Sequence, residues 1–553
     1  MTIQDPDPST RVIPIGGVGE FGANATIVQT ASTTVLVDFG LMFPPDSSKP
    51  GVDFYINDID LLETHFPKLD AVFLTHGHED HIGGLSFLLR RFDVPLITLP
   101  YTVGIIRKSM SYYKDIKADL RPAELNQPVT IGDIEVEFVG VTHSIIQACA
   151  LSIKTPGGHL VHTGDFKVDP LPGDNHPFQS KRFAELGEMG VDLLIMDSTN
   201  ATKTGFCPSD YEIVPNLKDL ILNAQGRVFL TTFSSHMPRI KKLKQVARQT
   251  GRKIIFIGRS FQKHFQLSLE TSYMALKPDL FADVEDVPGI PDDQIIFVVT
   301  GSQAEQRSAL SRISKTGFKG IRFKAGDLAI FSSKTIPGNE RRIGLLTSHL
   351  QRDGVKVIVE KGTSVHTSGH GYQEDIAYML ALTKPRIVAP IHGEFHQLLS
   401  HHSWLQTLIG EDQRVLFIED GDVVTLCNGD ARCIDTIETR LTPIDGNQNL
   451  PIPSRVISER KDMMYSGLLL INAHVRPDDN YSNYEVVSHG VVETSEGACA
   501  KVLTGALQAL TMAEDATEEA MVTSIRQCLK KTLRRFFVGR PFIKLILNGH
   551  IVR

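Results

Sequence analysis

Between Leu74 and Gly84 the sequence reads LTHGHEDHIGG, and five titratable side chains, His76, His78, Glu79, Asp80 and His81, fall within six consecutive residues. Imidazoles and carboxylates are costly to bury and add nothing to packing, so their concentration points to chemistry rather than to a core. Histidine nitrogen and aspartate oxygen are good ligands for zinc and similar divalent ions. Four candidates, His76, His78, Asp80 and His81, are enough to engage more than one ion. The flanks locate the cluster. LDAVFLT before it is a short apolar run of strand formers, and Leu85, Leu88, Leu89 and Phe92 recur at helical spacing behind Gly83-Gly84. The ligands therefore sit where a strand ends and a helix begins, the edge at which open α/β sheets bind their ligands.

The elements that must hold such a site are legible along most of the chain. Apolar strands such as TTVLVDFG, HLVHTGDF, VDLLIMDST, GRVFLTTFSS, RKIIFIGRS, DLAIFSS and PRIVAPIHGE alternate with helical patterns, which indicates an α/β architecture with layered sheets. Many of these strands end in small, polar or ionisable residues. Around 438–460 the texture changes to a stretch rich in Pro, Asn and Gly that reads as a linker, followed by a module of about ninety residues with the pattern β-β-α-α-β. The 553-residue chain has room for several domains without staples. Its six cysteines are scattered, with no Cys-x-x-Cys pair, which favours a reducing, cytoplasmic setting. Neither a signal sequence nor a long apolar segment is evident, so neither export nor a membrane span is expected. A net charge of −7 argues against indiscriminate coating of nucleic acid, although local basic groups leave a nucleic-acid enzyme open.

Three further residues end strand patterns and could complete a metal site: His143 after IEVEFVGVT, Asp165 after LVHTG and His392 after RIVAPI. Each alone reads better as a satisfied polar residue than as a ligand. With the first cluster they make seven nitrogen and oxygen ligands, sufficient for two ions sharing one carboxylate with a water or hydroxide between them. Such pairs, ~3.5–4 Å apart, clamp in-line displacement at phosphorus.

The motif H-x-H-x-D-H, with the spaced His143, Asp165 and His392, resembles the signature of the metallo-β-lactamase superfamily. VDLLIMDSTNA, VHTSGHG and APIHGEF resemble motifs A, B and C of its β-CASP nucleases, and IFSSKTIPGNE with the tail module narrows the resemblance to the bacterial ribonuclease J family. Ile146-Gln147 and Gly371 are unusual neighbours of these motifs. The resemblance implies a four-layered αββα metallo-β-lactamase fold with an inserted α/β β-CASP domain and a small α+β C-terminal domain. The implied division is a first core part at 10–207, the insertion at 208–362, a second core part at 363–437, the linker at 438–460 and the C-terminal domain at 461–553.

By the same resemblance His76, His78 and His143 hold one metal, Asp80, His81 and His392 the other, and Asp165 bridges, with Asp80 counted also as catalytic. Zinc comes first for so imidazole-rich a site, with manganese or magnesium as alternatives. His370 begins a helical pattern, and free amides at a helix N-terminus would cradle a phosphate. His370 is then expected to protonate the leaving 3′ oxygen, steadied by Asp197, as motif B implies. A 5′-phosphate site is expected from Ser333, His366, Thr367, Ser368, Gly369 and His370, small donors gathered at two strand ends. Basic residues of MPRIKKLKQVARQTGRK, Arg239 among them, are expected on a surface gripping RNA backbone, opposite the apolar face of Ile240, Leu243 and Val246.

The implied activity is RNA hydrolysis in maturation and decay of rRNA and mRNA, as a 5′→3′ exonuclease on 5′-monophosphorylated RNA and as an endonuclease. RNA is the substrate partner, and the tail, with its amphipathic RQCLKKTLRRFF, is expected to support a homodimer or homotetramer. Partners in an RNA-degradation complex are also implied. The rival readings are a DNA-directed β-CASP nuclease, which tends to carry Val where this chain has His392, a thioesterase- or lactonase-like hydrolase, which would need no insertion, and a non-catalytic RNA-binding scaffold, in which the seven ligands would have decayed.

Overall fold

A computed structural model describes residues 9–44, 49–172, 177–275, 279–336, 338–360, 365–476, 481–491, 497–510, 513, 516–533 and 541–552. The expected boundary at 362/363, Pro337 of IFSSKTIPGNE and the last residues of RQCLKKTLRRFF lie outside them. The chain divides into two units, residues 1–43 with 55–441, and residues 44–54 with 442–553.

In the larger unit, among the described residues, one eight-stranded sheet runs in the order Asp430–Thr436, Asp422–Cys427, Thr10–Gly16, Ala25–Gln29, Thr34–Val37, Ala71–Phe73, Leu96–Thr98, Leu120–Pro122. A seven-stranded sheet runs Val129–Ile131, Ile134–Gly140, Cys149–Thr155, Gly158–His162, Leu193–Asp197, Ile387–Ile391, Arg414–Val415. Side chains alternate across a strand, so each sheet can present two apolar faces. Val12, Val28, Val35, Val37 and Phe73 from the first sheet meet Val136, Phe138, Leu151, Leu160 and Ile195 from the second in one core. Their neighbours Ile13, Ile27, Leu36, Val72 and Leu194 face the other way, beneath helical residues such as Leu62, Ile105, Phe183 and Met379. The result is helices, sheet, sheet, helices.

Strands Leu193–Asp197 and Ile387–Ile391 pair in parallel with Asp197 opposite Ile391, and the residues between them build a third, five-stranded parallel sheet. Its order is Lys253–Ile257, Ile295–Val299, Val228–Thr231, Leu328–Phe331, Lys356–Ile358. Both faces are covered, Leu230, Ile254, Val298 and Ile330 on one side and Phe229, Ile255, Phe297 and Phe331 on the other, so its strands read as continuous apolar runs. Strands Val228–Thr231 and Leu328–Phe331 are adjacent, and the chain leaves them toward opposite edges of the sheet. That makes a crevice at their carboxyl ends, the topological switch point where such sheets bind ligands.

The smaller unit carries a four-stranded sheet, Tyr481–His489, Leu468–Arg476, Phe542–Leu547, His550–Val552, packed on helices Ala498–Gln508 and Glu518–Leu533 through Leu469, Ile471, Leu503, Ile525 and Leu545. It has one strand more than the expected β-β-α-α-β. The stretch read as a linker is ordered: Leu441–Asp445 and Leu450–Pro451 pair, and helix Ser454–Ser466 follows. The Asn and Gly residues belong to a hairpin loop whose amides at Asn447 and Gln448 donate to Asp445 Oδ1, and Pro453 precedes the helix start. Composition alone does not separate such a loop from a linker.

Candidate metal centre

The seven proposed ligands lie just beyond the carboxyl ends of strands. His76 and His78 follow Ala71–Phe73, and Asp80 and His81 belong to the one-turn helix Glu79–Ile82 that comes next. His143 follows Ile134–Gly140, Asp165 follows Gly158–His162, and His392 follows Ile387–Ile391 with a positive φ of 56°. One ligand atom from each residue falls into one of two groups that share Asp165: His76, His78, His143, Asp165, and Asp80, His81, His392, Asp165.

In the first group His78 Nδ1 is 3.1 Å from both His76 Nε2 and His143 Nε2, and Asp165 Oδ2 is 3.6 Å from each of those two nitrogens. In the second, Asp165 Oδ1 is 3.4 Å from His81 Nε2 and from His392 Nε2, and Asp80 Oδ2 is 3.7 and 3.6 Å from the same nitrogens. A tetrahedral ion with bonds of ~2.0–2.1 Å holds its ligand atoms roughly 3.3–3.4 Å apart, so both groups have the span of a metal site. Asp165 Oδ1 and His392 Nε2 are buried without a hydrogen bond, which a cation would satisfy. Electrostatics agrees. Burial pushes His76, His78 and His143 down, His78 to about 4, toward the neutral form that ligates. Burial also opposes charge on His81 and His392, yet Asp165, with Asp80 and Asp38 or Asp197, holds both well above the usual imidazole range. The carboxylates of this centre call for positive charge.

The outer nitrogens are held as well. His81 Nδ1 is 2.7 Å from Asp38 Oδ2, His76 Nδ1 is 3.0 Å from Thr75 Oγ1, and that hydroxyl donates to Asp38 Oδ2 at 2.8 Å. His143 Nδ1 donates to Gly369 O at 2.7 Å, His392 Nδ1 is 2.8 Å from Thr199 Oγ1, and His78 Nε2 is 3.0 Å from Ser235 Oγ, which comes from the inserted domain. Such partners fix the tautomer and orientation of a metal-binding imidazole. Gly369 must be glycine for this approach: a Cβ there would stand 2.8 Å from the His143 ring. Asp38 was missed from sequence, although it ends the strand pattern TTVLVDFG and the positive φ of 59° that it adopts suits Asp. Thr199, Ser235 and the Gly369 carbonyl carried no sequence signal of this role.

His370 Nδ1 is 2.8 Å from Asp197 Oδ2, and its Nε2 lies 4.0 Å from Asp165 Oδ2. Burial opposes ionisation of Asp197, but the charge and hydrogen bond of His370 outweigh it and hold the carboxyl below its usual range. The free-amide cradle expected at the following helix is not there. The amides of His370, Gly371, Tyr372, Gln373 and Glu374 donate to Ser368 Oγ, Phe166 O, Asp375 Oδ2, Lys203 O and Gly205 O. The sequence shows where a helix starts, not which loops fold over its end.

Among the residues expected around a 5′-phosphate, Ser333 follows the third-sheet strand Leu328–Phe331, and His366 and Ser368 lie on the segment beside it, tied by Ser332 Oγ donating to Val365 O. Thr367 is buried, its hydroxyl donating to Pro208 O at 2.6 Å. Arg239 departs from expectation. It is fully buried and paired with Asp210, not displayed with the basic surface, while Ile240, Leu243 and Val246 do form the buried helix face. Helical periodicity gives no sign of a partner 29 residues away in the chain. Ile146 is core, Gln147 Oε1 accepts from Tyr101 N, and a Cβ at Gly371 would meet Asp375, so the unusual neighbours are built in by packing.

Residues 225–350 match the family described as ribonuclease J, beta-CASP domain; residues 18–202 match the metallo-beta-lactamase superfamily; and residues 354–416 match the Zn-dependent metallo-hydrolase RNA specificity domain. The chain is 32% identical to ribonuclease J of Helicobacter pylori, covering 98% of this chain and 80% of that one. It is 35% identical to ribonuclease J of Thermus thermophilus (98% and 96%), and 31% identical to ribonuclease J2 of Bacillus subtilis (96% and 96%). A solved structure of a protein of unknown function from Enterococcus faecalis superposes with a TM-score of 0.55 at 19% identity, covering 76% of this chain and 100% of that one, a likeness of fold.

Proposed function

We propose a reaction from a plain premise: the chain belongs to the ribonuclease J family and is a metal-dependent ribonuclease. In this reading it hydrolyses RNA phosphodiester bonds 5′→3′ from a 5′-monophosphorylated end and also cleaves internally. The observation that carries it is the shared carboxylate, Asp165, set 3.4–3.6 Å from four imidazole nitrogens, two in each group. Two divalent cations, zinc first and manganese or magnesium as alternatives, would be held by His76, His78, His143 and Asp165 and by Asp80, His81, His392 and Asp165; when bound they polarise the phosphate and activate water.

The chain's own residues do the rest. Asp80, with a side chain 37% exposed against 2% for Asp165, is the more solvent-open of the two carboxylate ligands and would accept the proton that water releases. His370 would deliver a proton from Nε2 to the leaving 3′ oxygen, with Asp197 holding Nδ1. Ser333, His366 and Ser368 would receive a terminal phosphate. The core at 10–207 and 363–437, the insertion at 208–362 and the C-terminal domain at 461–553 are the division we adopt. A cytoplasmic enzyme, self-associating through its C-terminal domain and joining an RNA-degradation complex, completes the reading. No described helix is long and apolar enough to cross a membrane.

The test is metal-loaded protein incubated with 5′-monophosphorylated, 5′-labelled RNA and with DNA of the same sequence. Released mononucleotide marks the exonuclease and internal fragments the endonuclease. DNA digestion at a matching rate would favour the DNA-directed alternative, and inertness with zinc, manganese and magnesium alike would overturn the reading.

A further inference from the structure

Arg239 lies in helix Met237–Thr250, which follows strand Val228–Thr231, and its guanidinium crosses the crevice at the switch point of the third sheet. Nη1 donates to Ser332 O at 2.7 Å, to Ser332 Oγ at 3.2 Å and to His366 Nδ1 at 2.7 Å. Nη2 donates to Thr367 O at 3.0 Å and to Asp210 Oδ1 at 2.7 Å, and Nε donates to the same carboxylate oxygen. Asp210 is bound in turn by His236 Nε2 at 3.0 Å. A cation without solvent exposure is costly unless its donors are used; here Nη1 and one hydrogen of Nη2 go to the two segments that carry Ser333, His366 and Ser368, while Nε and Nη2 also hold Asp210.

The direction of one bond has a chemical consequence. A guanidinium has no acceptor, so His366 Nδ1 must be the unprotonated nitrogen, and the proton of the neutral ring must sit on Nε2. Among the described residues Nε2 has no hydrogen-bond partner. Burial and the nearby guanidinium push His366 well below the usual imidazole range, in keeping with a neutral ring. Ser368 is set the same way: its Oγ accepts from Asn200 Nδ2 at 2.8 Å and from His370 N at 3.2 Å, which leaves its own hydrogen to donate. The amides of residues 370–374 are already used, so the His366 and Ser368 side chains stand as donors toward a phosphate without competition from that helix start.

We infer that Arg239 is a positioning residue for 5′-phosphate recognition: it fixes the spacing of the Ser332–Ser333 and His366–Ser368 segments and makes His366 a donor through Nε2. The inference rests on the pocket reading given above. A lysine at 239 is a point charge without the planar fork and cannot hold both segments and Asp210 together.

Full-length wild type, Arg239→Lys, His366→Gln and His366→Asn are compared on RNAs ending in 5′-monophosphate, triphosphate or hydroxyl, with metal content and melting temperature recorded. Wild type should favour the monophosphate. Arg239→Lys should lose roughly 10-fold or more of that preference in kcat/KM, through KM, with metal content retained and a smaller loss on hydroxyl-ended RNA than on monophosphorylated RNA. His366→Gln, which keeps an N–H near the Nε2 position, should retain more of the preference than His366→Asn, which does not. A wild type indifferent to the 5′ end overturns the pocket and the inference together. A discriminating wild type with an equally discriminating Arg239→Lys overturns the inference alone. Should Arg239→Lys fail to fold, the His366 pair decides, and Gln no better than Asn overturns it.

Discussion

His370 and Asp165 face each other across the centre, Nε2 to Oδ2 at 4.0 Å, while the far side of the same imidazole is tied to Asp197 at 2.8 Å. A ring anchored at one nitrogen and aimed at the shared carboxylate with the other is placed to move a proton without being a ligand. His370→Ala should therefore keep both metals and lose ~10²–10⁴-fold in turnover, the usual worth of a positioned acid. Asp197→Asn should fall in the same direction by less, because the ring loses its anchor and not its nitrogen. Single-turnover rates with elemental analysis check this; metal loss in His370→Ala would make it a ligand instead.

Asp165 serves both groups, whereas His392 serves one. Asp165→Ala should strip the protein of both ions, and His392→Ala should leave the ion of His76, His78 and His143 in place. Elemental analysis after gel filtration distinguishes loss of two equivalents from loss of one. Equal losses in the two variants would dissolve the two-group description.

The candidate ligands are legible because they are local or end conspicuous strands: four sit in six residues, and His143, Asp165 and His392 each close an apolar run, and the fold brings all seven into two groups that could hold metal. What holds them is not. Asp38 reaches the centre only because strand Thr34–Val37 pairs in parallel with Ala71–Phe73, Val37 opposite Phe73, a register that no local pattern records. Arg239 reads in the sequence as one more basic residue on a helix, since a buried ion pair with Asp210 leaves the helical period unchanged. The filled amides before helix Gln373–Thr383 likewise depend on loops that converge from Phe166, Lys203 and Gly205. Sheet layering came through from alternation, while the hairpin inside 438–460 was hidden by turn residues that serve linkers equally well.

His264 should make stability depend on acid. It is buried beside Tyr101 OH at 3.0 Å, and burial, with the charge of Lys263, pushes it down to about 3 from 6.5. Above pH 6.5 neither the folded nor the unfolded state carries the proton. As pH falls below 6.5 the unfolded imidazole takes it up and the folded one does not, so stability is lost, by about 3 kcal/mol at pH 4. His264→Gln has no such proton to take up. The gap in unfolding free energy between wild type and His264→Gln should shrink by up to that amount between pH 7 and pH 4; a gap constant with pH would show that burial does not suppress this titration.

Asp38 orders one ligand of each ion through a single oxygen. Its Oδ2 accepts from His81 Nδ1 at 2.7 Å and from Thr75 Oγ1 at 2.8 Å, and because that hydroxyl donates to the carboxylate it must accept from His76 Nδ1 at 3.0 Å. Oδ1 accepts from Thr75 N at 2.8 Å, so both sides of the side chain face donors. An asparagine has one accepting side. Turned either way, its amide nitrogen meets a donor, Thr75 N in one orientation and His81 Nδ1–H in the other, and an imidazole is freed to turn. Asp38→Asn should therefore weaken metal binding ~10–100-fold, the usual cost of losing such a partner, and should weaken both ions, not one. Thr75→Val interrupts only the path to His76 and should weaken the group of His76, His78 and His143 alone. Stepwise removal with a graded chelator, followed by elemental analysis, measures the two affinities. Asp38→Asn with wild-type retention of either ion would show that the carboxylate does not couple the two groups.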